Sequence, residues 1–249
     1  MHDLEGKVAI ITGGGSGIGK AAAKLFAEHG ATCVITGRRA SVLDDAAKEI
    51  GHGAVSIQAD VTRLEDHEHV ARAVKERFGG VDIYLANAGI INLKPSDQVT
   101  EQEFDAHFAT NAKGTFFGVQ ATLPVMREGG SVIVTGSLAA TKVLQNHTLY
   151  AGTKAAISAF ARYWALELKG RRIRVNVLSP GPVETEVLDK LGLVGDEKAA
   201  LLKSMEALVP SGRIGLPQEL AQAALFLASS ASSFVNGIEL HADGGMALV

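Results

Sequence analysis

Short apolar runs alternate with stretches of helical period from one end of this chain to the other. The runs are Val8–Thr12, Thr32–Thr36, Val55–Ala59, Ile83–Ala86, Ser131–Thr135, Arg174–Leu178 and Ile238–Leu240. Several are apolar at nearly every position, as strands covered on both faces are. In the first intervening stretch Ile18, Ala21, Ala22, Leu25 and Phe26 recur on one helical face, and Gly30 follows as a stop. Thr62 with Glu65, and Thr100 with Glu103, have the spacing of a capping box, and Pro217 suits the first turn of the last helix. Strands alternating with helices in this way build an α/β doubly wound parallel sheet of about seven strands, flanked by helices on both faces. No linker, low-complexity segment or repeat divides residues 1–249, so one domain is expected.

Composition narrows the function classes. With 47% hydrophobic residues in 249, the chain has ample material for a core. Lys plus Arg total 24 against 27 Asp plus Glu, a net charge of −3. That balance lacks the basic excess of a nucleic-acid or anionic-membrane binder. The opening MHDLEGKVAIITGGG does not read as a secretory signal, and no apolar run approaches the ~18 residues of a membrane span. A soluble cytoplasmic protein is expected. Cys33 is the only cysteine and lies in the apolar run Ala31–Ile35, where a buried, inert thiol is expected. His67 and His69 are two apart on a helix and face different ways, so no metal site is expected.

One segment, about 181–215, breaks the rhythm. Long insertions in compact α/β domains tend to be functional. Its apolar residues, among them Leu188, Leu191, Leu201, Met205 and Leu208, suit a lid over a substrate; the alternative is one helix packed on the core.

Thr12-Gly13-Gly14-Gly15-Ser16-Gly17-Ile18-Gly19 joins the first strand to the first helix. Glycine here gives positive φ in the turn, close backbone approach to a pyrophosphate, and tight packing of helix on strand. The unpaired N–H groups and positive end of that helix then face the phosphates. At the end of the second strand a dinucleotide fold ordinarily places an acid that grips the ribose diol. Here stand Thr36-Gly37-Arg38-Arg39, with no acid before Asp44. Two guanidiniums suit a 2′-phosphate, which predicts NADP(H) over NAD(H). The alternative is a pair of solvated loop arginines.

Beyond Ser131–Thr135 come Ser137 and then Tyr150-Ala151-Gly152-Thr153-Lys154, opening a helix. Residues i and i+4 share a helix face with Cβ atoms about 6 Å apart. A strand would put them about 13 Å apart. Lys154 can therefore act on the Tyr150 hydroxyl, favouring its phenolate and tuning it for proton transfer to or from a carbonyl oxygen. Ser137 ends its strand at the carboxyl edge, where open α/β sheets bind ligands.

In this order the motifs resemble those of the short-chain dehydrogenase/reductase family, over essentially the whole chain from Gly6 to Gly245. Besides TGGGSGIG and YAGTK, the chain carries Asp60-Val61-Thr62, Asn87-Ala88-Gly89, Asn111, Pro180-Gly181 with Thr185, and Asp243-Gly244-Gly245. The resemblance implies a Rossmann-type sheet in the order 3-2-1-4-5-6-7 and, often, a homotetramer packed through the last strand and the catalytic helix. It implies Tyr150 as general acid/base, Lys154 also on the nicotinamide ribose, and Ser137 orienting the substrate carbonyl. Asn111 would hold a water that passes the proton onward. Asp60 and Val61 would meet the adenine, Asn87 and Gly89 the adenosine side, and Val183 and Thr185 the carboxamide. Ala88, Pro180 and Gly181 complete the expected cofactor contacts, beside Gly13, Gly15, Ser16, Gly17, Ile18 and Gly19 of the turn.

There are departures from the family pattern. Ala86 stands where members often have a second Asn, and Ser16 stands where many NADP(H) members carry a basic residue. The phosphate preference thus rests on Arg38, with Arg39 in support. Leu138, Gln145, His147 and Leu188 are candidate substrate-pocket residues, although His147 also reads as an ordinary polar loop histidine. Lys169, Arg171, Arg172 and Arg174 read as a solvated turn.

Three functions fit. The first is an NADP(H)-dependent carbonyl reductase or alcohol dehydrogenase taking lipophilic ketones, with CH–OH as donor. The second is a 3-oxoacyl-[acyl-carrier-protein] reductase, disfavoured because Met126-Arg127-Glu128 offers one Arg beside a Glu for an acidic carrier. The third is a non-catalytic dinucleotide sensor, which has no need of Ser137, Tyr150, Lys154 and Asn111 together.

Overall fold

The computed structural model describes residues 3–185 and 195–249, with backbone only for 195–199 and 201. Seven strands form one parallel sheet: β1 (Val8–Thr12), β2 (Thr32–Gly37), β3 (Val55–Gln58), β4 (Val81–Ala86), β5 (Met126–Thr135), β6 (Arg174–Pro180) and β7 (Glu239–Ala242). Their spatial order is β3-β2-β1-β4-β5-β6-β7, which puts the reversal of direction between β1 and β4. Open sheets bind ligands at such a switch point, beyond the carboxyl ends of the strands.

Helices α1 (Gly17–Glu28), α2 (Ala40–Ile50) and α8 (Pro217–Ala228) cover one face. Helices α3 (Leu64–Phe78), α5 (Gly114–Thr122) and α6 (Thr148–Glu167) cover the other. Strand side chains divide between two cores by their alternation. Ala9, Ile11, Ile35 and Leu85 meet Ala22, Phe26 and Leu220, while Val8, Ile10, Val34 and Tyr84 meet Val74, Val119 and Ile157. Every residue of β1 is buried, which explains its continuous apolar run.

Two features differ from the periodicity reading. Thr100 does form a capping box with Glu103, at the start of α4 (Glu101–His107). Thr62 does not pair with Glu65, because α3 starts at Leu64 with Arg63 at its N-cap; the Thr62 hydroxyl and N–H both donate to Asp60 Oδ1, each at 2.9 Å. The Asp60 carboxylate thus closes the turn before α3, which starts with no side-chain cap. Strand β5 also starts five residues early, at Met126. Its register on β4 breaks between Val81 and Ile83, so Gly129 and Gly130 bulge out of the ladder.

The segment 181–215 contains a helix, α7 (Gly195–Leu208). Leu188, Leu191, Leu193 and Val194 lie outside the described residues. Between α4 and α5 the chain makes a π-helical turn, Phe108–Lys113, with Asn111 fully buried inside it. Turns of this type concentrate at functional sites because the wider winding re-aims side chains and frees backbone groups.

Candidate active site

The turn after β1 is shaped by what its glycines lack. Gly13 (φ +66°) and Gly17 (φ +51°) hold backbone conformations that L side chains rarely adopt. A Cβ at Gly13 would lie 3.0 Å from the Ala88 Cα, and one at Gly19 only 2.4 Å from the Gly13 carbonyl oxygen. No side chain caps α1, because Ser16 makes no cap hydrogen bond, so its first N–H groups stay open toward the cavity. These open donors and a turn bared of Cβ atoms fit a pyrophosphate.

Asn87, just past β4, ties this turn to the sheet. Its Nδ2 donates to Thr12 O at 3.1 Å and its N–H to Thr12 Oγ1 at 2.9 Å, while Thr135 Oγ1 donates to its Oδ1 at 3.3 Å. Three strand ends are thereby locked around one amide. Burial pushes the Asp60 carboxyl up, but hydrogen bonds from Thr62 and the Arg38 and Arg63 guanidiniums leave it below its ordinary range. His67 Nε2 meets Val61 O at 2.8 Å, pinning the Asp60-Val61 loop. Arg38 and Arg39 are exposed at the rim beside Asp60.

One cavity of about 690 Å³ runs from this turn to the start of α6. It is lined by Gly13, Gly15, Ser16, Gly17, Ile18 and the two arginines at one end. Asp60, Val61, Asn87, Ala88 and Gly89 line its middle, and Pro180, Gly181, Val183 and Thr185 the wall after β6. Ser137, Leu138, Gln145, His147, Tyr150 and Lys154 line the far end. Gly19 lies behind the turn and does not line it. Met205 and Leu208 of the expected lid segment line the cavity too, whereas the spacing in the sequence did not single out Ile91, Leu93 and Leu144 of the flanking loops or Met246 near the C-terminus. These are apolar residues on connections, where no periodicity distinguishes a wall from a solvated loop.

Tyr150 stands in the first turn of α6 with Lys154 one turn on, its ammonium 5.7 Å from the Tyr150 ring centroid. Lys154 is buried, and its Nζ donates to Thr135 O at 2.7 Å. Burial pushes the ammonium down to about 8. Burial also raises the Tyr150 phenol, opposed by a hydrogen bond with Ser137. Without a ligand, then, the phenol is held protonated, whereas the sequence spacing alone predicts a depressed value. Desolvation is the larger cause and the Ser137 hydrogen bond the smaller, while the Lys154 ammonium lies over the ring and is bonded to the Thr135 carbonyl. Ser137 Oγ accepts Ala139 N–H at 3.2 Å, which fixes the rotamer that presents the hydroxyl to Tyr150. The His147 ring stands edge-on to that of Tyr150, 6.3 Å away.

The Asn111 side chain is fully hydrogen-bonded within the protein. Its Oδ1 accepts Ile90 N–H at 2.8 Å, and its Nδ2 donates to Ile90 O at 2.9 Å and Thr153 Oγ1 at 3.1 Å. The carboxamide is committed to protein partners and lies behind the cavity wall; Thr110, its neighbour, lines the cavity.

Residues 13–247 match the family model described as enoyl-(acyl carrier protein) reductase. A solved structure described as a short chain dehydrogenase/reductase family protein superposes with a TM-score of 0.89 at 39% identity, covering 99% of this chain and 100% of its own. This chain belongs to the short-chain dehydrogenase/reductase family. As a member it is an oxidoreductase of a family that binds a nicotinamide dinucleotide. Among curated relatives, "Oxidoreductase asL5" of Sarocladium schorii is 43% identical over 252 residues, spanning 100% of this chain and 99% of its own. "Hydroxynaphthalene reductase-like protein Arp2" of Metarhizium guizhouense is 36% identical over 257 residues, spanning 98% and 96%. A structure described as a putative betaketoacyl-ACP reductase gives a TM-score of 0.87 at 39% identity, covering 99% of this family member and 100% of its own chain.

Proposed function

We propose that this family member is an NADP(H)-dependent reductase of lipophilic ketones, running in reverse as a secondary-alcohol dehydrogenase. The observation that carries this reading is the meeting of Ser137, Tyr150 and Lys154 at one end of a cavity whose other end is the glycine turn with Arg38 and Arg39. A bound nicotinamide dinucleotide supplies the hydride that reaches the carbonyl carbon. Ser137 holds the carbonyl oxygen through its hydroxyl, and Tyr150 gives that oxygen its proton as the carbon is reduced. The buried Lys154 cation stabilises the phenolate left behind. The rise in the phenol from burial suits the reductive direction, since Tyr150 starts as the acid. Asn111 contributes by holding the start of α6 in place, and the π-turn around it is the element that would seat a proton-relaying water.

At the rim, Arg38 and Arg39 form the site for a 2′-phosphate, with Asp60 balancing the first of them. The ratio of Michaelis constants for NADPH and NADH tests this. Arg38→Ala is expected to raise the constant for NADPH by about tenfold or more and leave that for NADH nearly unchanged. A wild-type preference for NADH overturns the assignment. The substrate end is walled by Leu138, Leu144, Leu208 and two methionines, which favours an apolar carbonyl compound. A panel of ketones followed by loss of reduced-nicotinamide absorbance tests the reaction class.

The acyl-carrier reading draws no support from Arg127. Its guanidinium bonds Asp82 and the Phe78 carbonyl at the amino ends of the strands, away from the site. We propose a homotetramer as well, because Tyr163 and Leu166 on α6, and Phe234 before β7, leave large apolar surfaces exposed. Light scattering on the eluting protein reads that state directly.

A further inference from the structure

Asp243-Gly244-Gly245 is a motif to which the chemistry above assigns no part, and the structure shows it building a clamp. Asp243 Oδ1 accepts Gly245 N–H at 3.0 Å, its Oδ2 accepts Ala247 N–H at 2.7 Å, and its carbonyl accepts Met246 N–H at 3.2 Å. Both glycines have positive φ. A Cβ at Gly244 would lie 2.4 Å from Ser211 Oγ, so the turn is pressed against the chain that leaves α7, and Ser211 N–H donates to Gly244 O at 3.1 Å. From below, Gly181 lies so close that its Cβ would be 2.7 Å from the Asp243 Cα.

The clamp turns one side chain inward. Met246 is 5% exposed while Leu248, two residues on, is 88% exposed. Met246 joins Leu138, Val209 and Leu144 in a small apolar cluster separate from the two cores of the sheet. Leu138 follows Ser137, Leu144 lies in the loop of Gln145 and His147, and Val209 follows α7. Met246 also lines the cavity itself. At Met246 the serine loop, the histidine loop and the end of α7 thus come together at the substrate wall. An unbranched thioether fills such an irregular gap and yields to what presses on it.

We propose that Met246, seated by the Asp243-Gly244-Gly245 turn, is the specificity-determining residue that sets how large a ketone can reach Ser137 and Tyr150. This rests on the carbonyl-reductase reading. The test uses alkyl phenyl ketones of increasing chain length with NADPH. Met246→Ala is expected to move the optimum of kcat/KM to longer chains, changing the long-to-short ratio by about tenfold or more. Met246→Phe is expected to move it to shorter chains, and Met246→Leu, a nearly volume-conserving change, keeps the wild-type ranking. The Michaelis constant for NADPH stays unchanged in all three. A change by one common factor on every ketone overturns the proposal.

Calorimetric binding of the same ketones to Tyr150→Phe and Tyr150→Phe/Met246→Ala, each with NADPH bound, needs no turnover. If wild type reduces no ketone but these affinities shift with chain length, the reaction assignment falls and the role of Met246 stands. If no ketone binds, or the affinities do not shift with chain length, Met246 is not the determinant, whatever the turnover.

Discussion

Asn111 Nδ2 lies 3.1 Å from Thr153 Oγ1, and that hydroxyl donates in turn to the carbonyl of Tyr150 at 2.7 Å. A buried amide in the π-turn is thus connected through one hydroxyl to the backbone of the proposed acid. Thr153→Ala leaves one of the two Asn111 Nδ2–H groups unpaired in the interior and is expected to cost about 1–3 kcal/mol in urea unfolding. Thr153→Ser keeps the hydroxyl and should restore most of both stability and kcat. Equal losses in the two variants would mean that the methyl group, not the hydrogen bond, carries the effect.

Tyr150→Phe removes the proton donor and leaves the ring in place. Turnover is expected to fall by roughly 10²–10⁴ with coenzyme affinity nearly intact, read by steady-state kinetics beside fluorescence titration with NADPH. Unchanged turnover removes Tyr150 from the mechanism.

Lys154 is stored strain of an electrostatic kind. Its ordinary pKa of 10.5 falls to about 8 in the folded chain, so the unfolded chain binds the proton more tightly. Stability therefore rises with pH between about 8 and 10.5, and below 8 the full penalty applies, on the order of 3 kcal/mol. Lys154→Met is expected to abolish turnover yet be more stable than wild type at pH 7. Urea melts at pH 7 and pH 10 check this: the advantage of the variant should shrink at the higher pH.

Gly19 has no role as a cavity wall, yet a methyl group there would meet the Gly13 carbonyl oxygen at 2.4 Å and Asn87 Nδ2 at 2.6 Å. Gly19→Ala must push the helix from the turn. The expected result is a lower Tm together with a raised Michaelis constant for NADPH. Gly152→Ala, where a Cβ meets nothing within 4 Å at an exposed position of α6, is the control and should leave the Michaelis constant unchanged while Tm stays the same or rises slightly.

Much of the fold was legible because its signals are local. Apolar runs mark strands buried on both faces, and a glycine turn followed by an amphipathic helix marks the first crossover. The capping box at Thr100 could be read for the same reason, while Thr62 could not. Only the folded turn put Arg63 rather than Thr62 at the N-cap of α3, leaving the Thr62 hydroxyl to donate to Asp60. The start of β5 at Met126 lies beyond Gly129 and Gly130, outside the apolar run that begins at Ser131.

The sequence by itself determined the alternation of strands and helices, the bared turn after β1, and the one-turn separation of Tyr150 from Lys154, since each depends on residues a few positions apart. Tertiary structure alone decided that Asn111 spends its amide on Ile90 and Thr153, that burial raises the Tyr150 phenol, and that Met246 returns from the far end of the chain to the wall beside Ser137. Desolvation and long-range packing depend on what surrounds a group in space, and residues up to about a hundred positions away supply those surroundings.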